Sequence, residues 1–153
     1  MVFRKGKISD LEGFMHVCRS FFSTHNIFQQ SDKKILPYLA AQASEHQLLI
    51  YEDRGVVKAG LFLVQTGANA DSSHRIWKFR HFAFPSDDIG SRLLALAEDC
   101  ARSASTTAKI ELTIAESEPG KEFYLNHGYV EEGVLNNHYR PREKCYILGK
   151  SFL

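Results

Sequence analysis

The chain has 153 residues, of which 44% are apolar and 24% are charged, and its net charge is +1. This length and composition predict one globular domain, residues 1–153, that folds on its own. The near-neutral charge removes the main electrostatic basis for binding nucleic acid or a membrane surface, and no apolar run approaches the ~20 residues that a membrane span needs.

The N-terminal segment has no apolar signal region, so we expect a cytoplasmic protein. We expect it to be a monomer or a homodimer. Cys18, Cys100 and Cys145 lie far apart in the sequence and form no CxxC pair. That spacing argues against a disulfide framework and against a zinc site. The histidines are scattered without the spacing of metal ligands, so we expect no bound metal.

The first half of the chain predicts a strand, two helices and three strands. In chain order these are a strand at 2–4, helices from about residue 8 and over 31–44, and strands at 48–51, 56–64 and 75–84, with a hairpin turn at 52–55 and a flexible connection at 67–73. Ser9 or Asp10 can cap the first helix, and Ser31 or Asp32 can cap the second. Pro37 should bend the second helix or delay its start.

The second half predicts a helix, a strand, a helix and two closing strands. These are a helix at 89–102, a strand at 109–114, a helix that begins at 117–120, and strands at 129–135 and 144–152. Asp87 or Asp88 is placed to cap the helix at 89–102, Pro119 is tolerated in the first turn of the next helix, and Gly128 ends that helix. The full order, β-α-α-β-β-β-α-β-α-β-β, predicts an α/β fold with one central sheet flanked by helices.

The strand at 75–84 alternates without a clean apolar face. Ile76, Lys78, Arg80, Phe82 and Phe84 are predicted on one side, and Trp77, Phe79, His81 and Ala83 on the other. This mixture is typical of a central strand whose end lines a site.

Three segments of the second half resemble the GNAT acetyltransferases. The most specific is 122–133, a helix with a Phe-Tyr pair, three residues, Gly with an aromatic residue, and a strand with Glu-Gly. Residues 82–94 are similar to the core block of the family, a strand, a tight glycine loop and a helix, and 136–148 look like its final hairpin. The resemblance covers about residues 74–152. It implies a mixed, mostly antiparallel sheet and transfer of an acetyl group from coenzyme A to a small-molecule or peptide amine by direct attack.

The core block also has the physical features of an anion site. A loop that enters a helix presents unpaired N–H groups and the positive end of the helix dipole, and glycine lets a ligand approach the backbone. By resemblance, the loop would hold the pyrophosphate of coenzyme A and the preceding strand its pantetheine arm. The residues that the resemblance assigns to the coenzyme are Phe82, Phe84, Ile89, Gly90, Ser91, Arg92, Ser117, Gly120 and Phe123.

The loop departs from the pattern of the family. Asp88 stands at the first glycine position, Pro85 stands at a Gln or Arg position, and the stretch from Pro85 to Gly90 is about three residues short. Asp87 and Asp88 are anionic where an anion should bind, and as caps they would use the same N–H groups. Two alternatives therefore stay open: a non-catalytic GNAT-like binding or sensor module that has lost coenzyme A binding, and an acyltransferase that uses a carrier-protein thioester.

Two residues are candidates for proton transfer. Tyr124 has the position of the phenolic acid of the family; a phenol with a pKa of about 10 is protonated at neutral pH and can donate to a departing thiolate. Its alternative role is packing beside Phe123. His81, which titrates near neutrality, is the candidate base for the amine, although a carboxylate or an ordered water is an alternative. Arg80 beside it cannot act as a base.

Overall fold

The computed structural model describes residues 1–22 and 26–153. The elements are β1 (Val2–Lys5), α1 (Leu11–Phe21), α2 (Asp32–Glu45), β2 (Gln47–Asp53), β3 (Val56–Ala68), β4 (His74–Ala83), α3 (Asp87–Ser103), β5 (Thr107–Ala115), α4 (Lys121–Leu125), β6 (Val130–Asn136) and β7 (Lys144–Phe152), with short 3-10 turns at Ile8–Asp10 and Asn26–Gln29. Their order confirms the order predicted from the sequence. None of these helices is long and apolar enough to cross a membrane.

The strands form one sheet in the order β1-β2-β3-β4-β5-β7-β6. β4 and β5 are parallel, whereas β2 pairs antiparallel with β1 and β3, and β7 pairs antiparallel with β5 and β6. The parallel pair follows from the crossover through α3, since parallel strands need a long connection. A mixed, mostly antiparallel sheet confirms the predicted fold class. The ladder between β4 and β5 runs from His74↔Thr107 to Trp77↔Ile110 and ends there.

The described residues divide into two compact units, and β3, β4 and α3 contribute to both. The first unit comprises Met1–Val64 and Phe79–Asp99. Its core joins the apolar faces of α1 and α2 to β2 and β3 and contains Leu11, Phe14, Met15, Cys18, Phe28, Ile35, Leu39, Leu48, Ile50, Phe62, Val64 and Ala83. The members from α1 recur every three or four residues, which is why one stripe of this helix is buried.

The second unit comprises Gln65–Lys78 and Cys100–Leu153. β5 shows the alternation of a strand with two different faces. Ala108 and Ile110 are fully buried, whereas Lys109 between them forms ion pairs with Glu111 at 3.0 Å and Glu132 at 2.8 Å. This period of two is the reason that the sequence located the strand correctly.

Two of the residues predicted to cap the first two helices stand at the N-cap positions, but neither makes a side-chain capping hydrogen bond. The first helical turn begins after Lys7, and Asp10 does not cap α1 with its side chain; its carboxylate instead accepts from the Lys7 N–H at 2.7 Å and pairs with Arg4 at 2.9 Å. Ser31 occupies the N-cap of α2 without a side-chain hydrogen bond. Pro37 lies inside α2 and does not delay its start, because the absence of its N–H removes only one helical hydrogen bond.

The starts of α3 and α4 also differ from prediction. α3 begins at Asp87, and the hydroxyl oxygen of Ser86 accepts from the Ile89 N–H at 3.4 Å, so that Ser86 takes the capping position predicted for Asp87 or Asp88. α4 begins at Lys121, after Gly120 with φ 114°, and Pro119 belongs to the turn before it. Gly128 has φ 87° and follows α4 as the predicted C-terminal glycine.

Candidate active site

The residues predicted for the site lie in both units. The first unit holds His81, Phe82, Phe84, Ile89, Gly90, Ser91 and Arg92, and the second holds Ser117, Gly120, Phe123 and Tyr124. The structure brings Phe82, Phe84 and Gly90 together in the first unit, and Gly120, Phe123 and Tyr124 together in the second.

The start of α3 is exposed. Pro85, Ser86, Asp87 and Asp88 are all exposed, and Ile89 is half-buried. A helix start in this setting offers first-turn N–H groups and a positive dipole end to an anion.

The side chains of this turn already have partners. The Ser91 hydroxyl donates to the Asp87 carbonyl oxygen at 2.7 Å, which is a contact within the helix. Arg92 Nε lies 3.8 Å from the Asp88 carboxylate, and both side chains are more than half exposed. An exposed ion pair of this length contributes little to stability, so Arg92 can exchange partners at small free-energy cost.

Gly90 is where the strand before the loop meets the helix after it. A Cβ on Gly90 would lie 2.7 Å from the Phe84 ring, closer than real Cβ contacts. Phe84 also packs on Phe82 and Phe21, with ring centroids 5.0 Å apart in both pairs. The glycine is therefore required for packing of Phe84 against α3, a role that the glycine-loop pattern did not predict.

β4 has a break in its regular geometry at His81, whose φ is +56°. Neighbouring side chains of a regular strand point to opposite faces. Here Arg80 and His81 both contact α2, and Phe82 and Ala83 are both buried. The predicted alternation is therefore wrong beyond Arg80. The positive φ of His81 turns the backbone, so the side chains after it do not continue the alternation of a regular strand.

Tyr38 of α2 is the hydrogen-bond partner of His81, with 2.7 Å between its hydroxyl oxygen and Nε2. Burial raises the pKa of Tyr38, so its hydroxyl is protonated at neutral pH and can donate to Nε2 when that nitrogen carries no proton. The rings of Phe22, Phe28 and Phe62 surround the imidazole, with centroids 6.4, 4.9 and 6.4 Å away. The hydrogen bond thus orients Tyr38 and His81 toward each other, and apolar rings pack around the imidazole.

Arg80 reaches the same helix as His81. Its Nη1 donates to the Gln42 side-chain oxygen and lies 3.4 Å from His46 Nε2. Tyr38 and Gln42 stand four residues apart and so share one face of α2, and His46 follows the helix as its C-cap. The sequence analysis missed these three residues, although their spacing of four was the available signal.

Tyr124 is buried at the C-terminal half of α4, with 8% of its surface exposed. Its ring packs on Phe123 and Tyr129, with centroids 5.4 Å away in both pairs, and a Cβ on Gly120 would lie 3.9 Å from it. Burial raises the pKa of Tyr124, so the phenol keeps its proton and acts as a hydrogen-bond donor. Gly120 is close to Tyr124 at the start of this helix.

Ser117 lies on the exposed turn before α4. Its hydroxyl oxygen accepts from Arg140 Nη1 at 2.9 Å, and the same nitrogen pairs with Glu143 at 2.8 Å. The turn is thus tied to the connection between β6 and β7.

By sequence alone, no protein-family model and no curated protein matches the chain. Solved structures match it over their whole length. An aminoglycoside 6'-N-acetyltransferase complexed with coenzyme A has a TM-score of 0.75 and 15% identity, over 100% of this chain and 98% of that chain. The ribosomal-protein-alanine N-acetyltransferase from Brucella melitensis has a TM-score of 0.72 and 13% identity, over 100% of both chains.

An acetyltransferase of the GNAT family from Streptococcus pneumoniae aligns with a TM-score of 0.69 and 15% identity over 99% of both chains. At identities this low, the structural alignments establish a common architecture only, and the activity has to be argued from the residues. The sheet order, the crossover through α3 and these alignments agree: the chain has the GNAT fold.

Proposed function

We propose that this protein transfers an acetyl group from acetyl-CoA to an amine. The observation that carries the proposal is a continuous strand-loop-helix segment. It consists of β4, the exposed residues 85–88 and the 17-residue helix α3, which begins at Asp87. The ladder of β4 with β5 ends at Trp77, so the rest of β4 can offer backbone groups to a pantetheine arm. The start of α3 offers its N–H groups to a pyrophosphate.

The charges at the start of α3 set the expected affinity for the coenzyme. Asp87 and Asp88 repel phosphate, but both are exposed and therefore screened by water and salt. Because Ser86 is the cap, neither carboxylate uses the helix N–H groups. Arg92 can leave Asp88 and pair with a phosphate in a stronger, charge-assisted contact. These residues fit an acyl-CoA with reduced affinity.

The proton of the attacking amine would leave through Tyr38 and His81. As the nitrogen of the neutral amine forms a bond to the thioester carbonyl carbon, its proton passes to the Tyr38 oxygen, and the Tyr38 proton moves to His81 Nε2 along the 2.7 Å hydrogen bond. A backbone N–H of the Phe82–Phe84 segment would stabilise the negative oxygen.

The second proton transfer would involve Tyr124. As the bond between carbon and sulfur breaks, the thiolate takes a proton or a hydrogen bond from the phenol. The raised pKa of Tyr124 ensures that the proton is present throughout the physiological pH range. In this account the enzyme forms no covalent intermediate.

The acceptor would be a small-molecule or peptide amine. The names of the similar structures include an aminoglycoside and a ribosomal-protein alanine as targets, and both targets present an amine.

A free-thiol release assay with acetyl-CoA and a panel of amines tests the proposal. We expect thiol release that depends on the amine and that falls at least about a hundredfold in His81→Ala, the range of general-base catalysis. Acetyl-CoA binding without thiol release for any amine would contradict the proposed enzyme.

The binding module is the second candidate, and the two carboxylates at the start of α3 favour it. An anion binds at a helix start because the electrostatic potential there is positive. The carboxylates of Asp87 and Asp88 in the first turn of α3 make that potential less positive. Failure to bind acetyl-CoA at millimolar concentration would support this candidate.

A further inference from the structure

Arg80 and Arg75 are half-buried arginines whose side-chain hydrogen-bond acceptors include a glutamine oxygen and no carboxylate, and Arg80 is the one that precedes His81. Arg4, Arg19, Arg92 and Arg140 each lie within 4 Å of a carboxylate. Arg80 is half-buried, and its partners are the neutral Gln42 amide and the His46 ring. Within residues 1–22 and 26–153, no carboxylate forms an ion pair with it.

A guanidinium is charged at every physiological pH, and it presents five N–H donors in a planar fork that matches a carboxylate. In Arg80 the contacts with α2 involve Nη1. A partly shielded cation without a carboxylate partner loses hydration without gaining an ion pair. The arrangement is therefore suited to an anion that comes from outside the protein.

The backbone at His81 explains how Arg80 and the proton-transfer pair come together. In a regular strand Arg80 and His81 would point to opposite faces. The positive φ of His81 brings both residues to α2, where Arg80 contacts Gln42 and His81 contacts Tyr38. Backbone strain of this kind persists where the surrounding structure enforces it, and it concentrates at functional sites.

We propose that Arg80 binds a carboxylate of the acceptor, so that the substrates are amines that carry a carboxylate, as amino acids do. The inference rests on the proposed acetyl transfer and specifies its acceptor. Arg80 and His81 are adjacent in the chain, and an amino acid likewise has its amine and carboxylate close together. The ring of the half-buried Phe22 beside His81 favours an apolar or aromatic body.

The test uses amino acids paired with their decarboxylated amines, beginning with L-phenylalanine and 2-phenylethylamine. We expect kcat/KM to favour the amino acid by at least about tenfold, the effect of a charge-assisted hydrogen bond. Calorimetric titration of each compound measures binding independently of turnover.

Gln42→Glu is the decisive variant because it gives Arg80 a carboxylate within the protein and changes the side-chain shape very little. It should remove the preference for the amino acid while the melting temperature stays the same or rises. Lys34→Gln, on the exposed first turn of α2, changes the net charge equally and should keep the preference.

The outcomes separate the two proposals. Thiol release without a preference for the carboxylate in any pair would overturn the role of Arg80 and leave acetyl transfer intact, as would a Gln42→Glu variant that keeps the preference. No thiol release, but amino-acid binding that Gln42→Glu abolishes, would overturn acetyl transfer and support the carboxylate site. If there were neither thiol release nor amino-acid binding, both proposals would be contradicted.

Discussion

Tyr124 combines a buried ring with a polar atom, and packing alone does not require that atom. The ring contacts Phe123 and Tyr129, which a phenylalanine would also do. Tyr124→Phe should therefore leave the fold and acetyl-CoA affinity nearly unchanged and lower kcat at least about tenfold, since only the proton donor is lost. Steady-state kinetics and a thermal melt measure the two effects.

Tyr129→Phe is the matched control for Tyr124→Phe, because it removes a hydroxyl from the neighbouring ring of the same cluster. It should keep the parent kcat. Equal turnover in Tyr124→Phe and the parent would make Tyr124 a packing residue, and water or another group would then supply the proton.

Gly90 gives a prediction about stability. Alanine is favoured over glycine inside a helix by about 1 kcal/mol, but the new Cβ would lie 2.7 Å from the Phe84 ring. Overpacking of this kind costs about 1–3 kcal/mol, so we expect Gly90→Ala to lower the melting temperature. Phe84→Leu in the same chain should recover part of the loss. A more stable Gly90→Ala variant would show that the ring moves aside freely.

At the scale of elements, periodicity predicted the order of strands and helices but not where the helices begin. β7 was predicted at 144–152 and lies at Lys144–Phe152. The caps depend on the backbone angles of one or two residues. Ser86, Asp87 and Asp88 are all good N-cap residues by type, and the sequence pattern alone did not distinguish between them.

The first turn of α3 gives a prediction about coenzyme affinity. Asp88→Asn removes one negative charge from the proposed phosphate site without removing the cap, which is Ser86. We expect a lower Kd for coenzyme A and a change in unfolding free energy of no more than about 0.5 kcal/mol, because the side chain is exposed. Titration calorimetry measures the Kd. Asp99→Asn, near the other end of the exposed face of α3, should leave it unchanged.

β1 is tied to the first helical turn by Asp10 and Arg4, which gives a prediction about pH. The hydrogen bond from Arg4 holds the pKa of Asp10 below its ordinary value near 4. A depressed folded pKa stabilises the protein above the unfolded pKa, and the contribution is lost as pH falls through the folded pKa. Asp10→Asn should reduce the unfolding free energy by about 1–3 kcal/mol at neutral pH.

The deficit of Asp10→Asn should shrink below about pH 4, where protonation removes the same charge from the parent. Denaturant melts across pH 3–8 measure it, with Asp53→Asn as the control. A deficit that is constant with pH would mean that the ion pair with Arg4 is not its source.

At the scale of the whole molecule, the sequence predicted the GNAT fold because its motifs lie in the second half of the chain and the element order covers the rest. The first half carries the contacts that motifs do not report. Tyr38 lies 43 residues before His81, and their hydrogen bond depends on how α2 packs on β4. Neither this partner nor the backbone break at His81 has a local signature. The single domain stays a prediction, since the described residues form two compact units.

Titration of the protein with acetyl-CoA tests the central claim most directly, because the proposed acetyl transfer requires the coenzyme to bind. We expect saturable heat with a single site, and a melting temperature that rises with ligand. At a hundredfold excess over Kd the fold should gain about 2.7 kcal/mol by mass action. No heat and no change in melting temperature at millimolar acetyl-CoA would contradict the account and leave the chain a GNAT fold without its coenzyme.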